Sequence, residues 1–297
     1  MKAGDSVAGR ATAAILVGAT LVGFSAIFVK WAVAGGATAL TVGFYRMLVA
    51  LPGTWWLARR TGSFGDRRGR TWALLASVAF FADLALWHVA MHWTSAANAT
   101  LLVGLSPLWV ALFSFFVLKR RLGALGWTGQ LAGLAGALVL GLARGARGSS
   151  GGTGEAIAFA ASFCYATFTL ILSRARATLN APQALFWMSL GGLGCFAVSG
   201  ALAGAPFAGY DARAWASLVG LGLVVQLAGW WLNSWGLGHV EPAFGALGLQ
   251  MQQVATLFLA AWLLGEPLRP LGLLGGGLLV GGIVLVAFGD RRSRARA

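Results

Sequence analysis

The sequence predicts an all-α integral membrane protein whose ten transmembrane helices form two inverted five-helix repeats. Three observations point to it. Ten apolar stretches of about twenty residues each have the length a helix rising about 1.5 Å per residue needs to cross about 30 Å of hydrocarbon. Apolar residues make up 58% of the 297 and charged residues only 10%, with mean hydropathy +0.77, which leaves too little polar surface for a soluble globule. The lysines and arginines alternate between crowded and sparse loops.

The first five expected spans are 11–33, 37–58, 71–92, 96–118 and 125–143. Lys2 and Arg10 precede the first, which is too long for a secretory core and lacks a small-residue cleavage site before a polar domain, so it reads as a retained helix. The glycine and serine run 144–154 then has the composition of a flexible linker. It separates a first repeat, 1–143, from a second, 155–297. The second five spans are 155–174, 182–203, 214–238, 242–264 and 270–289, followed by a basic tail. Five is odd, so the second half enters the membrane in the opposite sense to the first.

With the N-terminus inside, sixteen cations fall on cytoplasmic segments, including Arg59 to Arg70, Lys119 to Arg121 and Arg291 to Arg296. Four fall outside, namely Arg144, Arg147, Arg213 and Arg269, while Lys30 and Arg46 lie within spans. The positive-inside rule places both termini in the cytoplasm of a cell with the chain in its inner membrane. A net charge of +14 distributed this way does not call for nucleic acid.

Internal repetition agrees with the division. A gapless shift of 146 residues lays 98–141 on 244–287 and brings Gly126, Gly129 and Gly136 onto Gly272, Gly275 and Gly282. Gly129 with Gly133, and Gly277 with Gly281, form small-xxx-small faces suited to close helix packing inside the protein, or to a homodimer contact.

Polar groups inside spans carry the functional expectation, since a charge at mid-membrane costs about 2.5–3.5 kcal/mol even on the lenient insertion scale. Arg46 and Asp83 each lie nine residues from the outer end of their span, about 13 Å deep at about 1.5 Å per residue. Equal depth on successive antiparallel helices predicts an ion pair, serving as a latch, a gate, a contact for a substrate carboxylate or a proton-coupling pair. His88 is a further gating or proton-relay candidate. His88 and His92 share one helix face, but nothing nearby completes a metal ligand set, and neither metal nor cofactor is expected. Lys30 lies close enough to a span end to snorkel.

Gln250 and Gln253 share a face of the ninth span, and Gln226 and Asn233 share one of the eighth. Amides in a bilayer need partners, so they glue helices together or line a polar cavity. Trp87, Trp109 and Tyr165 lie deep, whereas Trp31, Trp55, Trp56, Trp72, Trp93, Trp127, Trp215 and Trp262 fall near span ends as an interfacial belt. Trp87, Trp109, Tyr165, Asn233, Gln250 and Gln253 are therefore the candidate substrate contacts. Cys164 and Cys195 are read as small packing residues.

Several strings carry a family resemblance: GFSAIFVK at 23–30, FYRMLVALP at 44–52, TSAANATLLVGLSPLWVAL at 94–112 and LLGEPLRPLGLLGGGLLVGGIVLV at 263–286. In order and spacing the chain resembles the drug/metabolite transporter superfamily, in its branch with two EamA domains. The resemblance implies a ten-helix carrier with a central cavity that moves small metabolites such as amino acids. It departs where the family carries a proline after a polar residue in the ninth helix, since Gln252 and Gln253 stand there. It departs again where Lys119 and Arg120 replace, in the fourth helix, the Gly265 and Glu266 ending of the ninth.

The expected function is a secondary transporter, with export favoured, that binds a neutral or zwitterionic metabolite between repeats and works by alternating access. Protons are a candidate coupling ion, and the lipid bilayer is the surrounding partner. The alternatives are an intramembrane enzyme and a non-transporting membrane partner or channel. Against the enzyme, the chain has no Gly-x-Ser-x-Gly elbow and no paired catalytic carboxylates, and no P-loop supplies ATP drive.

Overall fold

The computed structural model describes residues 3–93, 102–116, 123–143, 152–265 and 267–296. The described residues are helical throughout apart from short connections. In chain order the helices are α1 Ala3–Gly23, α2 Ser25–Ala34, α3 Ala39–Arg59, α4 Arg67–Trp93, α5 Ser106–Phe116, α6 Ala124–Ala143, α7 Thr153–Ala175, α8 Ala181–Leu202 and α9 Ala212–Gly220. A π-helical segment, Leu221–Gly229, then leads into α10 Trp230–Leu237, α11 Pro242–Leu249, α12 Met251–Leu264 and α13 Pro270–Arg296.

Eight described stretches, rather than the ten expected, are long and apolar enough to cross a membrane. Helix α3 has the length, at 21 residues, but Tyr45, Arg46, Pro52 and its flanking threonines dilute its hydropathy. The fourth expected span and most of the 144–154 linker lie only partly within the described residues.

Local chemistry sets the helix starts. Thr38 caps α3 reciprocally with Thr41, and Asn180 caps α8 reciprocally with Gln183, at 3.0 Å in both directions. Asp211 Oδ1 accepts from the Ala214 amide at 2.7 Å to start α9. Gly265 closes α12 with φ of 68°, a left-handed position that suits glycine.

Three long apolar stretches are not single regular helices. The first breaks at Phe24, between α1 and α2, and another breaks at Gln250, between α11 and α12. The third is continuous but passes through the π segment, where Gln226 lies fully buried. Regular apolar spans were expected at all three places. Hydropathy reports length and polarity, and these irregularities change neither.

Helices of the first half pack mainly on helices of the second. Helix α1 lies along α10 and α12, α3 along α8 and the π segment, and α4 along α7 and α8. The largest interface joins α6 and α13. A Cβ on Gly136 would stand 2.4 Å from Leu279 N and 2.7 Å from Gly275 O, and one on Gly282 would stand 2.6 Å from Gly129 O. The two helices therefore touch backbone to backbone and run antiparallel.

The register of this contact is symmetric. Gly129 meets Gly282 and Gly136 meets Gly275, while a Cβ on Gly272 reaches Ala143 and one on Gly289 reaches Gly126. Under the 146-residue shift each pair maps onto its counterpart with the roles exchanged, as a local two-fold requires. Of the two uses expected of the Gly277 and Gly281 face, packing inside the protein is corrected. A Cβ on either would meet nothing within 4 Å, so those two glycines lie on the other side of α13.

Candidate functional site

The buried polar groups gather where the halves meet. Arg46 is 7% exposed and Asp83 4%, yet they form no ion pair. Arg46 Nε instead donates to Gln226 Oε1 at 2.9 Å, and its guanidinium lies over the Phe80 ring at 5.5 Å. Gln226 Nε2 in turn donates to Ser189 Oγ at 3.4 Å. The pairing expected from equal depth is thus corrected, because depth fixes position along a helix but not the direction a side chain takes around it.

The arrangement leaves polar atoms open. Arg46 Nη2, Asp83 Oδ1, the Tyr165 hydroxyl, Trp230 Nε1 and Asn233 Oδ1 are buried without a hydrogen-bond partner. Each such group costs on the order of 1–3 kcal/mol, and a charged one more. Phe80, Phe168 and Trp230 form a triangle with ring centroids 5.0–5.8 Å apart, and Tyr165 stands 5.8 Å from Phe168. Asp83 follows Phe80 by one helical turn, and Asn233 follows Trp230 by one. Tyr165 lies near both Asp83 and Arg46. Arg46, Tyr165 and Trp230 thus bring open polar atoms to an aromatic patch.

Next to this patch a turn and a helix interruption meet. Turn residues Gly104 and Leu105 precede α5, and Gln250 separates α11 from α12. The 146-residue shift places Gly104 on Gln250, so the turn before α5 and the break between α11 and α12 fall at corresponding points. Gln250 Nε2 donates to Ser106 Oγ at 3.3 Å across the seam, and Gln253 Nε2 donates to Gln250 Oε1 at 2.5 Å. The break between α1 and α2 packs on the same region, with Thr256 Oγ1 donating to Gly23 O at 2.9 Å.

The remaining candidates occupy different surroundings. Trp109 donates from Nε1 to Ser162 Oγ at 2.8 Å and packs edge-on against Phe159 on α7, apart from the Arg46 group. Trp87 packs beside Ala90 and Ala158. Asn233 faces α1, where a Cβ on Gly18 would come within 2.4 Å of its Oδ1. The His88 and His92 side chains lie outside the described residues, and no group able to hold a metal occurs among the described ones. Phe80, Phe168 and Ser189 join the site without having been singled out. Two phenylalanines and a serine in apolar helices give no signal that separates them from packing residues.

A family model described as the EamA-like transporter family matches the chain twice, over residues 10–142 and 152–288. The chain belongs to the EamA-like transporter family. As such it is a membrane transporter of the drug/metabolite type, carrying two copies of the EamA repeat. The gap between the two matches falls on the glycine and serine run. Comparison with curated proteins gives no match. A solved crystal structure superimposes with a TM-score of 0.81 over 96% of this chain and 98% of the other, at 20% identity. That likeness shows the fold alone. Within the EamA-like architecture, the symmetric α6–α13 contact is the largest interface between the two repeats.

Proposed function

We propose that this protein is a secondary carrier of a small zwitterionic or neutral organic metabolite, of the amino-acid kind, working in the exporting direction by alternating access. It would sit in the inner membrane with both termini cytoplasmic and with ten spans, five in each of the units 1–143 and 155–297. The carrying observation is the set of open polar atoms around the Phe80, Phe168 and Trp230 rings, at the seam between the repeats. Arg46 Nη2 and Trp230 Nε1 are donors for a carboxylate, while Asp83 Oδ1 and Asn233 Oδ1 are acceptors for an ammonium. The aromatic faces suit an apolar side chain.

Gln250, Gln253 and Tyr165 lie beside that group, and Trp87 and Trp109 would contact solute from the neighbouring clusters they occupy. The turn at Gly104 and the broken helix at Gln250 favour this place, because interruptions at corresponding points of two repeats are a recurring way to present backbone and polar groups at mid-membrane. Arg46 gates by exchanging partners, the Gln226 amide in the empty state and solute in the loaded one, with Asp83 gating beside it. Asp83, with His88, is the group through which a proton would be coupled.

Counterflow in proteoliposomes tests this reading, with labelled amino acids and related metabolites and with and without a pH gradient. Saturable exchange of one zwitterionic class, accelerated by the gradient, is the expected result. Exchange confined to polyanions, or a chemically altered product in place of unchanged solute, would overturn it.

A further inference from the structure

A second opening lies apart from the polar core, at the end of the bundle away from Arg59 to Arg70. It is a cavity of about 430 Å³ between α2, the end of α6, α12 and the start of α13. Lys30 and Arg269 line it and are both exposed. Arg269 Nη1 reaches Ala143 O at 3.4 Å, and α13 begins directly beside it at Pro270. Farther in, the wall is small and apolar, with Ala26, Ala260 and Gly272. Thr256 commits its hydroxyl proton to backbone carbonyls at 2.8 and 2.9 Å.

Thr256 and Leu264 both line the cavity. They stand eight residues apart on α12, about 12 Å at about 1.5 Å per residue. The cavity is therefore amphipathic along its length, with two cations at one end and an apolar shaft running toward the membrane interior. A soluble anion would use the cations and leave the shaft empty, whereas a neutral hydrophobe would do the reverse. We propose that the groove seats one acyl chain of an anionic phospholipid from the surrounding bilayer, with the lipid phosphate between Lys30 and Arg269. Basic pockets between transmembrane helices hold phosphate head groups in this way. The helix start at Pro270 adds a favourable dipole. The solute reading is independent of this site.

Delipidated protein in neutral detergent, titrated with phosphatidylglycerol or with phosphatidylcholine of the same chains and followed by native mass spectrometry, tests the proposal. One tight phosphatidylglycerol site is expected. With about fivefold in affinity per basic residue, phosphatidylcholine should bind roughly 25-fold more weakly, and a Lys30→Gln, Arg269→Gln double variant should bring phosphatidylglycerol down to that level. Ala260→Phe, which fills the shaft and keeps both charges, should abolish the tight site. Should that variant not fold, the charge variant decides alone. Glycerol 3-phosphate should not displace the lipid. Equal binding of the two lipids, undiminished phosphatidylglycerol binding by the charge variant, or displacement by glycerol 3-phosphate would each overturn the proposal, the last by marking a vestibule for soluble anions.

Discussion

Arg46 on α3 donates through Nε to Gln226 on the π segment at 2.9 Å, joining positions 180 residues apart in opposite repeats. The guanidinium is held by a neutral amide, although a carboxylate, Asp83, is buried in the same region. A neutral partner leaves the charge available. An ion pair in a dry interior would hold both groups in one state, whereas an amide can be exchanged for a solute carboxylate at modest cost.

Replacement of that amide is the first prediction. Gln226→Leu should lower the melting temperature, corresponding to a loss of about 1.5–3 kcal/mol for a hydrogen bond to a charged group, and should reduce counterflow. Gln226→Glu should raise the melting temperature and still reduce counterflow, because Arg46 would then be locked in an ion pair. Thermal unfolding followed by tryptophan fluorescence, paired with counterflow, checks both. A Glu variant that transports normally would remove Arg46 from the mechanism.

Asp83 is tested by Asp83→Asn, which keeps shape and removes the titratable group. Counterflow should fall at least about tenfold, equivalent to about 1.4 kcal/mol in the transition state, and its response to an imposed pH gradient should vanish. Unchanged rate and unchanged gradient response would leave Asp83 a structural residue.

The α6–α13 seam gives a prediction with a built-in control. At Gly136 and Gly282 a new Cβ meets backbone at 2.4 Å, so Gly136→Val or Gly282→Val should destabilise by at least the 1–3 kcal/mol typical of overpacking and broaden the elution profile. Gly277→Val and Gly281→Val face open space and should be silent. Size-exclusion chromatography in detergent distinguishes the two pairs.

Arg176, just past α7, is buried at 9% exposure, donates from Nε to Ser234 O at 2.7 Å and also donates to Leu179 O. Burial lowers its pKa to about 10, so it is charged at physiological pH. Arg176→Gln should cost about 1.5–3 kcal/mol. A base whose folded pKa is lowered loses its proton in the native state first, so its effect on stability changes only as pH rises through about 10. The stability difference between variant and wild type should therefore be flat from pH 6 to pH 9, as urea titrations at several pH values would show.

The membrane class, the two-repeat division and the internal repetition that lays Gly126, Gly129 and Gly136 on Gly272, Gly275 and Gly282 were legible in the chain, because each rests on length, polarity or direct repetition. Of the eight tryptophans expected at span ends, Trp55, Trp56, Trp93 and Trp262 stand exposed at 41–77%, whereas Trp31, Trp72, Trp127 and Trp215 are half-buried, with Trp72 and Trp215 against the core. The pairing of Arg46 was not legible. Nor was the choice of Gly275 and Gly282 over Gly277 and Gly281, since α13 carries glycines on more than one face.

Both misreadings have one origin. In water an amphipathic helix advertises its buried side through polar residues opposite it, whereas in a bilayer lipid is as apolar as the protein interior and both sides read alike. Composition and charge therefore settled that the chain enters a membrane, and repetition settled that it does so as two related halves. Which way each helix turns, and so which amide meets Arg46 and which polar atoms stay open at the seam, followed only from packing the helices against one another.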